Sequence, residues 1–227
     1  MLRNIFIGLL ALSYLDISCG EDDIVKPNPK PLEFPKFDLD LYKKSVEAKN
    51  KPIDIIALVE LAYATPREYD CSIALPFGTI FFEIGNNPIG INGSDTAIIT
   101  YYKDANIHLP FNTAKTFTTI LSNLPTPIFN TTGHDLNVDK ALQLAHELFK
   151  SSNRTNSLNQ LLVFISDTSL DYPEKTVKLL KKYDVEIFVF ALTKMVNLEQ
   201  VYSIASSPYH VFWFSDYCSA PQKLFSI

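Results

Sequence analysis

Gln160–Asp167 reads QLLVFISD, and this stretch decides the fold. Its central part, Leu161–Ile165, is an unbroken apolar run of strand length. A strand that is apolar at every position is buried on both faces, which is typical of a central strand in a parallel sheet. Open α/β sheets bind ligands at the carboxyl ends of their strands, so Asp167 is a candidate functional carboxylate. The alternative is that Asp-Thr-Ser after a strand is ordinary loop or helix-capping chemistry.

Predicted strands and helices alternate along the rest of the chain. Further strands are predicted at Asp54–Val59, Ala97–Tyr102, Asn106–Phe111, Glu186–Leu192 and Tyr209–Phe214. Helices are predicted at Pro66–Phe82, Thr113–Leu124, Asn137–Lys150, Pro173–Tyr183 and Asn197–Ala205. Asn106–Phe111 alternates in polarity and contains Pro110, which favours an antiparallel edge strand. The expected fold class is a doubly wound α/β fold with a mostly parallel six-stranded sheet, one antiparallel edge strand and helices on both faces.

Composition excludes two classes of function. The 227 residues carry 20 Lys and Arg against 25 Asp and Glu, a net charge of −5, and no basic stripe that would indicate a nucleic-acid partner. The chain also lacks the GxGxxG and GxxxxGK[ST] phosphate loops, so a nucleotide cofactor is not expected. Apolar and charged content are those of a globular protein.

The amino terminus has the pattern of a secretory signal, predicted to span residues 1–20. Arg3 supplies the charged start, Ile5–Leu15 is an apolar core too short to cross a bilayer, and Asp16 closes it. A membrane anchor or a buried core segment is the alternative interpretation. Residues 21–51 form a Pro- and Lys-rich spacer, residues 52–217 the folded domain and residues 218–227 a tail. No membrane span is expected after removal of the signal.

Two further patterns fit an extracellular protein. Glycosylation is predicted at the Asn-x-Ser/Thr sites of Asn92, Asn130 and Asn153. Cys19 lies in the signal, which leaves Cys71 and Cys218. An oxidising compartment favours a disulfide between them, and two unpaired thiols are the alternative.

Several phrases, in this order, resemble a known family. They are AIITYYKDANIHLPF (97–111), GHDLN (133–137) followed by Ala141-Leu142, LLVFISD (161–167), YDVEIFVFAL (183–192), LEQVYSIASSP (198–208) and HVFWFSD (210–216). Together they resemble the von Willebrand factor type A domain, the fold also used by integrin inserted domains. The resemblance covers roughly Ile53 to Asp216. It implies that the loops after Val59 and Ile165 open into one crevice.

In the family that crevice carries a metal-ion-dependent adhesion site, built from a strand-terminal Asp-x-Ser-x-Ser, a loop Thr and a second Asp. Matching the phrases places Glu60, Ala62 and Ala64 on the Asp-x-Ser-x-Ser positions. It places Leu136 on the Thr position, and Asp167 alone keeps the expected chemistry. Alanine and leucine offer no oxygen to a hard cation. The resemblance therefore implies a degenerate site without a metal cofactor, and the alternative is a loose Ca²⁺ or Mg²⁺ held by Glu60, Asp135 and Asp167.

The expected function is that of a secreted, non-enzymatic protein that binds an extracellular protein partner. A cation-dependent adhesion domain with a substituted site is the first alternative. The second is an enzyme of flavodoxin-like architecture. A Ser–His–Asp arrangement of His134 with Asp135 or Asp167 and with Ser166 or Ser169 is not expected, because the chain has no GxSxG elbow to expose a nucleophile.

Overall fold

A computed structural model describes the chain at residues 52–63, 93–113, 116–129, 136–152, 154, 156–167, 172–193 and 196–213. All of them belong to one compact unit, Phe34–Tyr217. Several predictions lie outside the described residues: the signal, the spacer, the tail, the helix Pro66–Phe82, both cysteines of the predicted disulfide and the three glycosylation sites. Among the described helices, none is long and apolar enough to cross a membrane.

The described elements alternate as the sequence predicts. The strands are β1 (Ile53–Glu60), β2 (Ala62–Tyr63), β3 (Asp95–Tyr101), β4 (Ala105–Leu109), β5 (Ile128–Phe129), β6 (Leu158–Ile165), β7 (Val185–Ala191) and β8 (Val211–Trp213). The helices are α1 (Phe117–Ser122), α2 (Val138–Ser152), α3 (Glu174–Lys182) and α4 (Leu198–Ile204).

Six strands form one sheet in the order β4-β3-β1-β6-β7-β8. β6 pairs in parallel with β1 on one side and with β7 on the other, and its residues from Gln160 to Ile165 are buried. β4 alone pairs antiparallel, at the edge next to β3. The predicted fold class is confirmed, and so is the central place of the QLLVFISD strand. A central strand with parallel neighbours is buried on both faces, which explains the apolar run Leu161–Ile165.

The helices α2, α3 and α4 pack on one face of the sheet. The apolar stripe of α2 recurs every three or four residues and is buried, with Val138, Ala141, Leu142, Ala145 and Phe149 in the core. These side chains share a cluster with Leu58 of β1 and Val163 of β6. Asn137 caps α2, because its side chain accepts a hydrogen bond from the Lys140 N–H at 3.0 Å.

Two local predictions were wrong in extent, and two short strands were not predicted. α1 is shorter than Thr113–Leu124, because Thr116 accepts a hydrogen bond from the Thr119 N–H at 3.2 Å and Pro125 disfavours helix before it. Pro208 opens a short 3₁₀ turn, Pro208–His210, so β8 begins at Val211 rather than Tyr209. The two-residue strands β2 and β5, which pair in parallel, were not predicted.

Candidate functional site

The carboxyl edge of the sheet brings together the ends of β1, β3, β6 and β7. Glu60 is the last residue of β1, and Asp167 lies two residues beyond β6. The register pairs Val59 with Phe164, so both strands end at the same level. The crevice expected from the resemblance therefore has its two central strand ends side by side.

Glu60 is tied to the neighbouring strand end by two hydrogen bonds. The Ser166 backbone N–H donates to Oε2 of Glu60 at 2.6 Å, and the Ser166 hydroxyl donates to Oε1 at 2.5 Å. Glu60 is completely buried. A buried carboxylate is stabilised by donors of this kind, since burial removes its water. Both oxygens of the only predicted ligand on β1 are thus engaged within the protein.

Further hydrogen bonds brace the same edge. Thr193 donates its hydroxyl proton to the Ser166 carbonyl, and the Leu192 N–H donates to the Ile165 carbonyl at 2.8 Å. The phenol of Tyr101 reaches from β3 to the Phe164 carbonyl at 2.7 Å. Burial, followed by the nearby charge of Glu60, raises the pKa of Tyr101 well above its ordinary value, so this phenol stays protonated and donates. Hydrogen bonds between protein atoms therefore join the ends of β1, β3, β6 and β7.

The other predicted site residues are apolar or lie outside the described part. Ala62 is buried in β2, where the Ile128 N–H donates to the Leu61 carbonyl at 2.7 Å. Leu136 is completely buried in the core just before α2. Asp167 is half-buried at the edge. Ala64, Asp135 and His134 are outside the described residues. Of the predicted site residues, the structure describes Glu60, Ala62, Leu136 and Asp167.

This arrangement does not fit a family-type metal site. A divalent cation of the Mg²⁺ type needs several oxygen ligands in an open array. The resemblance assigns Ala62 and Leu136 to two of the ligand positions, and neither side chain carries an oxygen. Glu60 already accepts two hydrogen bonds from Ser166. Within the described residues, no group of three His, Cys, Asp or Glu side chains is placed to hold a metal ion.

Comparison with known proteins supports the same fold. The model of the von Willebrand factor type A domain matches residues 80–226. The chain belongs to the von Willebrand factor type A family. The match begins after β1, so the stretch with Glu60, Ala62 and Ala64 lies outside it, and a comparison with curated proteins finds no match. The von Willebrand factor type A match therefore rests on residues 80–226, which include β3, β6, β7 and β8.

Solved structures share the fold at low sequence identity. Proximal thread matrix protein 1 from the mussel byssus, with a zinc-occupied MIDAS motif, superposes with a TM-score of 0.65 at 17% identity over 74% of this chain. The chain spans 46% of that mussel protein. The manganese-loaded TRAP protein of Plasmodium vivax gives a TM-score of 0.58 at 11% identity, covering 75% of this chain and 72% of its own. At these identities the likeness shows the fold alone.

Sequence reasoning missed the role of Ser166. Ser166 was weighed only as a nucleophile, whereas it is the donor that holds Glu60. The available signal was the glutamate itself, because a carboxylate at the end of a buried strand needs donors from a neighbouring strand.

A second polar cluster, at the amino edge of the sheet, was also missed. The Arg154 guanidinium lies 3.1 Å from Asp54 and 3.7 Å from Asp95, and both carboxylates are completely buried. The Ser157 hydroxyl donates to Asp54 at 2.5 Å. Burial raises the pKa of Asp54, while Ser157 and Arg154 act to lower it and Asp95 adds to the rise. Two aspartates at the starts of apolar strands signalled that a buried cation was required.

Proposed function

We propose that the chain is a secreted, non-enzymatic von Willebrand factor A protein that binds an extracellular protein partner without a metal ion. The observation that carries this proposal is the pair of hydrogen bonds from Ser166 to Glu60 at the carboxyl edge, which we call the clamp. Ser166 occupies both oxygens of Glu60, and Ala62 and Leu136 replace oxygen ligands with buried methyl groups. A partner's carboxylate therefore has no cation to bridge it at this edge.

A protein-binding role is supported by family membership and by the chemistry of the described surface. The chain has the von Willebrand factor A fold, and a fold alone does not define an activity. The hydroxyl of Ser166, the serine at the strand end, donates to the buried carboxylate of Glu60. Secretion is supported by the signal-like residues 1–20 and the three glycosylation sequons.

The second candidate is cation-dependent adhesion through a substituted site. The zinc in the mussel protein and the manganese in the Plasmodium vivax protein favour it, and so does Asp167 at the sheet edge. In this candidate, Glu60 has to give up its two hydrogen bonds from Ser166 in order to bind the cation. Breaking them costs free energy, because the carboxylate of Glu60 is buried.

Thermal unfolding of the secreted chain separates the two candidates. A ligand that binds only the folded state raises its stability, by about 2.7 kcal/mol at a concentration 100 times the dissociation constant. We expect the same melting temperature in EDTA and in millimolar Mg²⁺, Ca²⁺, Mn²⁺ or Zn²⁺. A rise with any of these ions that disappears in Asp167→Asn would place a metal at the edge and overturn the proposal.

Binding itself is tested by retention of extracellular proteins on the immobilised full chain. We expect the same proteins to be retained in EDTA and in Mg²⁺, measured by quantitative mass spectrometry against a heat-unfolded sample of the same chain. Retention only with Mg²⁺ would favour the second candidate, and equal retention by the unfolded sample would overturn protein binding.

A further inference from the structure

The outward face of α3 combines positive charge with exposed apolar groups. Five residues recur at helical spacing i, i+3, i+4, i+7 and i+8, and all are exposed: Lys175, Lys178, Leu179, Lys182 and Tyr183. At 3.6 residues per turn they cover an arc of about 140°. We call this surface the basic face. It stands out on a chain whose net charge is −5.

The opposite side of α3 fixes the direction of the basic face. Thr176, Val177 and Leu180 are buried against the rest of the fold. The Lys181 ammonium donates to the Ala205 carbonyl at 2.7 Å, and burial lowers its pKa. Lys181 therefore belongs to the packing between α3 and α4, and the basic face is held towards solvent.

The basic face also exposes two large apolar side chains. Leu179 and Tyr183 are 47% and 44% exposed and lie one helical turn apart. The Tyr183 ring is steadied by the His146 ring, which meets it edge-on with centroids 4.8 Å apart. Rigid, half-exposed aromatic and aliphatic groups gain free energy when a partner covers them.

The charges of the basic face are available to a partner. Lys178 is paired with Glu174 at 2.6 Å, but both side chains are largely exposed, and such pairs contribute little to stability. Asp184 follows Tyr183 and is also exposed. Along α3 and the residue after Tyr183, the three lysines stand against two carboxylates, Glu174 and Asp184; Asp139 of α2 accepts a hydrogen bond from Thr176 on the buried side of α3.

We propose that the basic face binds an acidic amphipathic helix of a partner protein. Its glutamates or aspartates would pair with Lys175 and Lys182, and its aliphatic side chains would cover Leu179 and Tyr183. A basic partner is repelled, and a polyanion without apolar groups leaves Leu179 in water. This inference rests on the proposed protein-binding function and adds to it the surface and the partner's chemistry.

The first part of the test uses synthetic peptides and the full chain. The probe is a fluorescent amphipathic peptide of about 20 residues, long enough to form a helix on binding, with glutamates flanking a leucine stripe. One control peptide replaces the leucines with glutamine, and another replaces the glutamates with lysine. We expect anisotropy to report binding of the acidic leucine peptide only, weaker at high salt and unchanged by EDTA.

The second part uses matched variants of the full chain. Lys175→Glu is compared with Lys103→Glu on the β3–β4 turn, since both lysines are exposed. Leu179→Ser is compared with Ile107→Ser on β4, whose side chain is 43% exposed. We expect each α3 variant to weaken binding about 5-fold, a plausible effect of one exposed charge or apolar contact, and each control to leave it unchanged.

Several outcomes would overturn the inference. Equal binding of the glutamine control peptide or of a sulfated polysaccharide would show a general polyanion surface. Equal loss in an α3 variant and its control would place the site elsewhere. A dimer that dissociates in Leu179→Ser would make a second copy the occupant. None of these outcomes affects the cation test at the carboxyl edge, so failure here is distinct from failure of the proposed function.

Discussion

Glu60 shows how one residue changes the chemistry of a strand end. Its carboxylate is completely buried and is stabilised there because Ser166, directly after β6, donates two hydrogen bonds to it. The group that would face a cation in a metal site faces a serine instead. The carboxyl edge is thereby joined across β1 and β6 by protein atoms.

Ser166→Ala is expected to destabilise the fold. The substitution removes the hydroxyl donor and leaves Oε1 of Glu60 buried without it, which costs about 1–3 kcal/mol. Urea unfolding measures the loss. Ser122→Ala on α1 removes an exposed hydroxyl and is expected to change the free energy of unfolding by less than about 0.5 kcal/mol. Equal effects of the two substitutions would contradict the role of the clamp.

The predicted disulfide between Cys71 and Cys218 is also a residue-scale question. Both residues lie outside the described part of the chain, so the pairing stays a prediction. Peptide mapping of the full chain without reductant is expected to recover the two cysteine peptides as one species that separates on reduction. Recovery of two alkylated free thiols would show that the prediction is wrong.

At the scale of elements, Arg154 joins the starts of β1 and β3. Its guanidinium lies between Asp54 and Asp95, and it also donates to the Gly93 carbonyl at 2.5 Å. Two buried carboxylates and one guanidinium leave an excess of negative charge at this edge. Burial is the main cause of the raised pKa of Asp54, and the nearby charge of Asp95 adds to the rise.

Arg154→Ala is expected to cost about 3–5 kcal/mol at pH 7, because it leaves buried carboxylates without their cation. The folded-state pKa of Asp54 is above its ordinary value of 3.8, so the stability linked to its proton is complete below that value and is lost as pH rises through the folded pKa. Removing Arg154 raises that pKa further.

The cost of Arg154→Ala is therefore expected to be smaller near pH 4 than at pH 7 in urea unfolding. Lys150→Ala, in the exposed last turn of α2, is the control and is expected to have little effect at either pH. A cost that does not depend on pH would contradict the role assigned to Asp54.

The side chain of Asn137 caps the amino terminus of α2. Asn137 accepts from the Lys140 N–H, and its own N–H donates to the Tyr102 carbonyl at 2.8 Å. Asn137→Ala keeps the backbone bond but loses the cap, at a cost of about 1 kcal/mol, whereas Asn137→Ser retains a capping oxygen. Urea unfolding of both variants is the measurement. Equal stabilities would mean that packing alone begins the helix.

At the scale of the whole molecule, aromatic residues join three strands on one face of the sheet. The register aligns Phe164, Phe190 and Phe212, with ring centroids 4.8 Å and 5.3 Å apart along the row. All three rings are buried. The row links β6, the central strand, to β8 at the edge.

Phe190→Ala is expected to cost about 3–5 kcal/mol, since it opens a cavity between two rings and removes both contacts. Thermal or urea unfolding measures the loss. Phe111→Ala, at a half-buried position beside Phe149, serves as the control with a smaller expected loss. A larger effect at Phe111 would contradict the stabilising role assigned to the aromatic row.

The sequence by itself determined the fold class, the order of the elements and the identity of the central strand. These follow from local patterns: the apolar run Leu161–Ile165 in β6, a helical period in α2 and a proline beside the edge strand β4. That Ala62 and Leu136 carry no oxygen was equally readable, because the chemistry of a side chain does not depend on its position in space.

The tertiary structure alone decided which polar groups meet. Ser166 and Glu60 are 106 residues apart, and Ser157 and Asp54 are 103 residues apart, yet each pair shares a hydrogen bond. Such pairings depend on strand order and register, which bring distant strand ends to one edge. Sequence patterns report the periodicity of one element, whereas a buried charge is stabilised by donors from another. For that reason Asp167 was found from the sequence and the partner of Glu60 was not.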